Sequence, residues 1–326
     1  MIEWIESVLH TTVQMGTVYL LASLGEIYAE RSGILNLGLE GMMIMGAALS
    51  FIFTLAYGHL AAIIVSIIAG ILMSLILGVM AIHMRLNQVV TGLALTILGL
   101  GLSGFLAFPE IRKKILLTLN PTLPEQALIT QEAPKLPEIA VPLLSDIPLI
   151  GKSFFHHNVL VYVSYIAAIT MWFILFKTKL GLSLRSVGED PATADSLGVN
   201  VFLVRYLATI ISGGFAGLAG AYLFIGFHPF WQEGMTAGKG FIALALVILS
   251  TWNPLRAILG AYLFGGVETI QFRLQLFGFG AQSPYFLAML PYLITIITLI
   301  LISFENLKKR IGVPKSLGIP YSREQD

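Results

Sequence analysis

The chain has 326 residues, 56% of them hydrophobic and only 11% charged, with a mean hydropathy of +0.85; a soluble domain carries roughly 25% charged residues. The net charge of +1 says nothing about nucleic acid, but no basic, aromatic-interleaved patch occurs, so no nucleic-acid partner is expected. The lack of cysteine excludes disulfides, thiolate chemistry and cysteine-bound metals.

Residues 41–84, 86–109, 153–176, 206–232 and 274–304 contain no Asp, Glu, Lys or Arg. A membrane span needs about 20 mainly apolar residues, so the expected fold class is all-α: a single polytopic membrane domain over residues 1–326, with nine or ten transmembrane helices. The opening MIEWIESVLH has no basic n-region and no small-residue cleavage site, so the first span is expected to direct insertion itself.

In chain order, the first span is expected at 5–24. A Gly-punctuated link follows over 25–41, carrying Glu26, Glu30, Arg31 and Glu40. Spans two to four are expected at 42–57, 60–82 and 89–108, with a short turn at His83, Arg85, Asn87 and Gln88. Residues 109–158 have prolines at 109, 121, 124, 134, 137, 142 and 148 and no clear periodicity, which reads as a long functional or loosely ordered loop. The fifth span is expected at 159–176. A hydrophilic island follows over 177–205, basic at its ends through Lys177, Lys179, Arg185 and Arg205. The sixth span is expected at 206–227, with Gly213, Gly214, Gly217 and Gly220 at helical spacing for close packing. A second Gly-punctuated link covers 228–240. A short seventh span is expected at 241–252, an eighth at 255–272 and a ninth at 285–304, followed by a polar tail over 305–326 with Lys308, Lys309 and Arg310.

With nine spans, the Arg85 turn, the island, the Arg256 turn and the tail share one side, which the positive-inside rule makes cytoplasmic. The 109–158 loop and the amino terminus are then external. A tenth span or re-entrant piece near 25–41 would change this arrangement.

Within the island, Asp190 suits a helix N-cap, Pro191 the first helical position and Gly198 the stop. One or two turns are too short to be stable alone, so this helix is expected to be held between spans and to dock on a partner. Ala192, Ala194 and Leu197 would form its small apolar face, and Glu189, Asp190 and Asp195 could pair with basic groups. A solvated turn is the plainer reading of the same residues.

Ionisable groups in apolar segments are costly and hence functional candidates. Glu40 is either such a site or a helix-entry residue. Glu268 either contacts substrate or bonds to neighbouring helices, with Arg273 as a possible partner. Asn36, Asn87, Gln88 and Thr91 could line a polar path. Phe227, Phe230 and Trp231 could stack on a ring, or form an interfacial aromatic belt. Lys239 could meet an external protein or a lipid headgroup. No Walker A pattern, nucleophile motif or metal-ligand spacing occurs, and His156–His157 reads as incidental.

Residues 32–77 and 233–270 each show a Gly-rich entry, an apolar helix, a tight turn and a longer apolar helix. Offset by five spans, they form an expected inverted-topology repeat, which places a substrate path at the repeat interface near the bilayer midplane.

Three blocks, GEIYAERSGILNLGLEGMMIMGA (25–47), RSVGEDPATADSLGVNV (185–201) and FIALALVILSTWNPLRAILGAYLFGGVE (241–268), resemble the permease subunits of bacterial ABC importers for branched-chain amino acids, simple sugars and nucleosides. The ERSGILNLGLEG wording is most similar to the nucleoside permeases. The resemblance covers nearly the whole chain. It implies a non-catalytic, multi-pass subunit of the bacterial inner membrane that moves a nucleoside by alternating access. A simple sugar or a flavin-like vitamin is the alternative cargo. It also implies a second permease subunit, paralogous or identical, two cytoplasmic ATPase domains that use ATP and Mg, and an external substrate-binding protein. This chain would bind no cofactor and no metal. The resemblance assigns residues 189–198, Glu189, Asp190, Pro191, Ala192, Thr193, Ala194, Asp195, Ser196, Leu197 and Gly198, to the coupling helix that sits in a groove of the ATPase. The competing class is a secondary transporter driven by an ion gradient, with Glu40 and Glu268 as proton sites. The capped docking helix separates the two, because a self-sufficient transporter does not need one.

Overall fold

The computed structural model describes residues 2–145, 147–276, 286–287, 289–303 and 312–323. Its long helices are α1 (Ile2–Arg31), α2 (Leu39–Tyr57), α3 (His59–Gly78), α4 (Gln88–Ala107), α8 (Val159–Lys177), α11 (Val201–Ala221), α12 (Lys239–Leu249), α13 (Pro254–Leu276) and α14 (Leu290–Ser303). Each of the nine expected segments falls on one of them. Among the described residues, α2, α3, α4, α8 and α11 are long and apolar enough to cross a membrane by length and composition alone. The helices α3 and α11 each end in a π-helical turn, Val79–His83 and Tyr222–Phe227. The architecture is an all-α, multi-pass membrane bundle. Rows of exposed apolar side chains on α3, α4 and α8, such as Leu72, Ile97 and Ile166, are what a lipid-facing surface requires.

At the centre, α11 packs against α1, α2 and α3. The crossing is close because glycine backbones meet there: Gly46 of α2 and Gly70 of α3 both lie against Gly217 of α11. The hydroxyl of Ser66 donates to the Gly46 carbonyl at 2.7 Å across the same contact.

Four sequence expectations are corrected. The first helix does not stop at 24 but continues through Gly25, Glu26 and Glu30 to Arg31. Gly25 is not punctuation; it lets α1 approach Ser212 and Phe215 of α11. The true break is short, over residues 32–38. The 109–158 stretch is ordered as α5 (Pro109–Leu119), α6 (Glu125–Ile129), α7 (Gly151–Phe155) and an antiparallel hairpin of β1 (Glu138–Ala140) with β2 (His156–Asn158). Leu116 and Leu128 anchor it on Ile52 and Ala56, and the Arg112 guanidinium sits 4.9 Å over the Phe51 ring. The island holds a second helix, α9 (Lys179–Glu189), ahead of α10 (Pro191–Ser196). Finally, α11 begins at Val201, so Arg205 is inside a helix and buried, donating to the carbonyls of Ser32 and Ile319.

Two ends of the bundle follow from these contacts. One gathers Arg31, the turn at 250–253, α9, α10 and residues 312–323. Arg31 donates to the carbonyls of Gly312 and Thr251, and Ser316 N–H donates to the Gly188 carbonyl. The other end gathers the start of α1, the hairpin and the link at 228–238. There Gln14 donates to Glu138, and Trp231 N–H donates to the Gln131 carbonyl. Lys308, Lys309 and Arg310 of the expected tail lie outside the described residues.

The histidine pair has a structural place in the hairpin. The His157 ring is buried, bonds to the Ser153 carbonyl at 2.8 Å and stacks on His10 at 4.4 Å. Burial pushes its pKa down to about 4. An unfolded histidine titrates near 6.5, so between those values the unfolded chain binds a proton that the folded hairpin does not. Stability contributed by the neutral ring is therefore fully present above about pH 6.5 and is lost as pH falls toward 4, about 3 kcal/mol when complete. The protection of the amides at 138–140 and 156–158, measured against the intrinsic exchange rate at each pH, is expected to fall between pH 7.5 and pH 5, and His157→Phe is expected to flatten that pH dependence. Unchanged protection across that range in the wild-type chain would show that the ring is not the titrating group.

Candidate functional site

At mid-bundle the two stretches 32–77 and 233–270 meet through the starts of α2 and α12. They run in opposite directions: α2 begins just after the Arg31 end and finishes beside α5, whereas α12 begins after the 228–238 link and finishes at the 250–253 turn. Glu40, in the first turn of α2, is buried and accepts three hydrogen bonds from the start of α12. These come from the Thr236 hydroxyl at 2.5 Å, Gly238 N–H at 2.8 Å and Gly240 N–H at 2.6 Å. An anionic oxygen at a helix N-terminus satisfies otherwise orphaned donors and meets the positive end of the helix dipole. Removing it would leave two buried donors and one part-buried donor unpaired, and a buried donor left unpaired costs about 1–3 kcal/mol. Glu40→Ala is therefore expected to destabilise the purified protein by about 4 kcal/mol. Glu40→Gln should fall between, because an amide oxygen still accepts. An unchanged melting temperature in Glu40→Ala would contradict the capping role.

The 32–38 break is equally well satisfied, as irregular backbone inside a membrane must be. Asn36 N–H donates to Glu26 at 3.1 Å, its side chain donates to Ser212 at 3.0 Å, and its side-chain oxygen accepts from Gly38 N–H. Ser212 in turn donates to Glu26 at 2.7 Å. The Gln88 side chain accepts from Leu35 N–H at 2.7 Å, and Thr96 donates to the Leu37 carbonyl. Of the expected polar path, Asn36, Gln88 and Thr91 are thus buried beside the break, while Asn87 is exposed and spends its side chain capping α4. Glu26 and Glu30 were not singled out in the sequence. Glu30 accepts from the Trp252 indole at 2.6 Å, tying α1 to the turn after α12. Their signal was available: two acids four residues apart, on one helix face, directly after the apolar run 15–24.

Phe227 and Glu268 do come together. Both line a cavity of about 540 Å³ between α1, the end of α11, the 228–238 link and α13, with Lys239 on the same wall. The partner of Glu268 is not Arg273 but Lys239, whose Nζ donates to Oε1 at 2.6 Å, and the Tyr19 hydroxyl donates to Oε2 at 2.7 Å. Arg273 instead donates to Ser7 and lies over Trp4. Lys239 is consequently not free for a lipid or an external protein. Trp231 is only 7% exposed and stacks on Phe51 at 5.9 Å. It is a core residue rather than part of an aromatic belt, and it does not line this cavity. Among the described residues no group of three or more His, Cys, Asp or Glu is placed to hold a metal ion.

The second candidate is α10, at the end that carries Arg31. Asp190 accepts from the Thr193 N–H at 3.0 Å and from its hydroxyl at 2.6 Å, which holds the Asp190 carboxyl below the usual range. Gly198 takes a left-handed φ of 87° at the stop. The expected apolar docking face is redrawn. Ala194 points inward and packs with Val187, Val201 and Tyr321. Asp195 is held by both arms of Arg323 at 2.8 Å and by Tyr321, so it is not free for a partner. Glu189, Thr193, Ser196 and Gly198 are exposed, Ala192 is half-buried, and Leu197 is 80% exposed.

Comparison with known proteins brings these features under one heading. The family described as the permease component of the branched-chain amino acid transport system matches residues 8–302. A putative glucose ABC transporter permease of Haloferax volcanii is 37% identical, covering 98% of this chain and 98% of its own. A guanosine ABC transporter permease of Bacillus subtilis is 34% identical over 93% of this chain and 92% of its own. A nucleoside ABC transporter permease of Lactococcus lactis is 33% identical over 95% and 94%. Each of these two bacteria also has a second, more distant relative of this chain that is named as a permease for the same substrate, 27% and 24% identical. No solved structure matches.

Proposed function

The chain belongs to the branched-chain amino acid transport permease family, a family of non-catalytic ABC transporter membrane subunits, and on that premise we propose that it forms the translocation path of an ATP-driven nucleoside importer. In this reading two permease subunits, paralogous or identical, stand side by side. The end bearing α9, α10 and residues 312–323 faces the cytoplasm, where two ATPase domains bind ATP and Mg. The 109–158 cap faces out and receives a substrate-binding protein. The residues at 189–198 carry the mechanical link, with Leu197, Ser196, Thr193 and Glu189 presented to the ATPase.

The observation that carries this reading is the exposed, rigidly capped α10 with Leu197 at its outer tip. Closure of the ATPases would press on α10. Through α9 and α11 that push reaches the 32–38 break and the paired starts of α2 and α12, the discontinuous elements around which such a path opens and closes. The ion-gradient alternative is set aside by the family. Glu40 in particular is a cap for α12.

Two of the relatives are named for guanosine or nucleosides, which supports a nucleoside cargo. The second reading is a simple sugar, favoured by the Haloferax relative named for glucose. Uptake of labelled adenosine, glucose and riboflavin in cells carrying the whole importer decides between them. Adenosine uptake that stops on ATP depletion is expected. Uptake of glucose alone selects the second reading, of riboflavin alone a vitamin cargo, and uptake that survives ATP depletion but collapses with an ionophore contradicts the ABC mechanism.

A further inference from the structure

The Lys239–Glu268 pair, between the start of α12 and the middle of α13, is an unusual feature for a largely apolar bundle. Both side chains are nearly enclosed, 13% and 7% exposed. Desolvating two charges costs more than their attraction returns in many proteins, and apolar replacements often stabilise. A fold alone therefore has little reason to keep the pair in an apolar wall, and an ionisable pair within the membrane is a functional site by default.

Its setting points to a ligand. The cavity it borders, about 540 Å³, is lined mainly by apolar groups including Met15, Leu223, Phe227 and Phe272. An apolar cavity of roughly 300–1,000 Å³ with a few convergent polar groups is the general form of a small-molecule site. The pair is neutral as a unit, so it does not favour a phosphate or a cationic ligand. Tyr19 takes one lone pair of Oε2 and Lys239 one of Oε1. A carboxylate has about four acceptor positions, so each oxygen keeps one. Two fixed acceptors side by side suit two adjacent hydroxyls, the same chemistry by which an acidic residue holds a ribose in dinucleotide sites. Phe227 offers an apolar face to the ring that bears them.

We propose that the Glu268 carboxylate, oriented by Lys239 and Tyr19, is the station in the translocation path that accepts a vicinal diol on the transported ring. This rests on the importer reading above and names the part of the substrate that the permease itself reads. A nucleoside ribose and a hexose both present such a diol, and the test separates them.

The test uses the complete importer in proteoliposomes, with adenosine, 2′,3′-dideoxyadenosine and glucose as probes. The preference of the wild type for adenosine over the dideoxy analogue is measured first. Glu268→Gln removes the charge that strengthens both hydroxyl bonds and is expected to reduce that preference by about tenfold or more. The binding protein and its own selectivity are unchanged in the comparison. Where glucose is the imported probe, methylated glucose replaces the dideoxy analogue as its diol-blocked partner. Met235→Trp fills the cavity without touching the ion pair, and is expected to slow every probe. An unchanged preference in Glu268→Gln, equal losses for both members of the probe pair, or normal import by Met235→Trp would overturn the proposal. If the wild type imports none of the probes with ATP, the nucleoside and sugar readings of the cargo fail first, and that result is distinct from the other three.

Discussion

Leu197→Asp is expected to reduce import and substrate-stimulated ATP hydrolysis by about 100-fold while leaving the permease inserted and folded. The size follows from the energetics of a contact centre, where losing one buried anchor costs roughly 2–4 kcal/mol and a carboxylate placed against an apolar pocket adds desolvation. The selectivity follows from the structure. Leu197 is 80% exposed and contributes nothing to the core of this chain, whereas Ala194, three residues earlier, is buried among Val187, Val201 and Tyr321. A Gly/Ser replacement of the whole 190–198 block would mix the two effects, because it strips the Asp190 cap and the Ala194 packing along with the contact surface. Melting temperature and membrane yield of Leu197→Asp should match the wild type. Full import by the variant would mean that α10 does not transmit force.

The second large effect lies at the glycine crossing. A Cβ on Gly217 would fall on the Ser66 carbonyl, with its carbon at 2.9 Å and the Gly70 nitrogen at 3.3 Å. Backbone cannot step aside as a side-chain tip can, so Gly217→Val forces α3 and α11 apart. Overpacking of this kind costs about 3 kcal/mol or more, and the variant is expected to be lost from the membrane fraction. Gly214, on the same stretch of α11, is the control. Its Cβ would meet only Ile71 and Ile67 side chains at 3.5 and 3.6 Å, so Gly214→Ala should be nearly neutral. Equal tolerance at both positions would show that the helices are not held at this distance.

These two helices show what could and could not be read from the sequence. Charge-free stretches located α2, α3, α4, α8, α11 and α14, because burying backbone in lipid permits little else, whereas α1, α12 and α13 carry charges and rested on their apolar runs. The signals for α10 were local: Asp190, Pro191 and Gly198 each act within four residues. The glycines of α11 announced close packing, but not which of them touches backbone. Gly214 and Gly217 look alike until the facing helices are in place. Glu26 and Glu30 read as loop residues in the sequence because a charge ordinarily ends a span, although Ser212 and Trp252, far away in sequence, satisfy them. The 109–158 stretch hid α5 behind its prolines, yet Pro109 is a helix-starting residue there. The Lys239–Glu268 pair joins two helices across a turn, and Tyr19 comes from a third. No local pattern encodes that meeting.

The most direct measurement uses the absence of cysteine in the natural chain. A single Leu197→Cys substitution, paired with a cysteine in the groove of the ATPase subunit, places one thiol at the outer tip of α10. Oxidative cross-linking of the assembled importer should join the two subunits, reversibly with reductant, while an Ala194→Cys control, buried inside this chain, should not react. Failure of Leu197→Cys to cross-link, together with its labelling by a membrane-impermeant maleimide added outside intact cells, would place α10 on the wrong side of the membrane and contradict the coupling account.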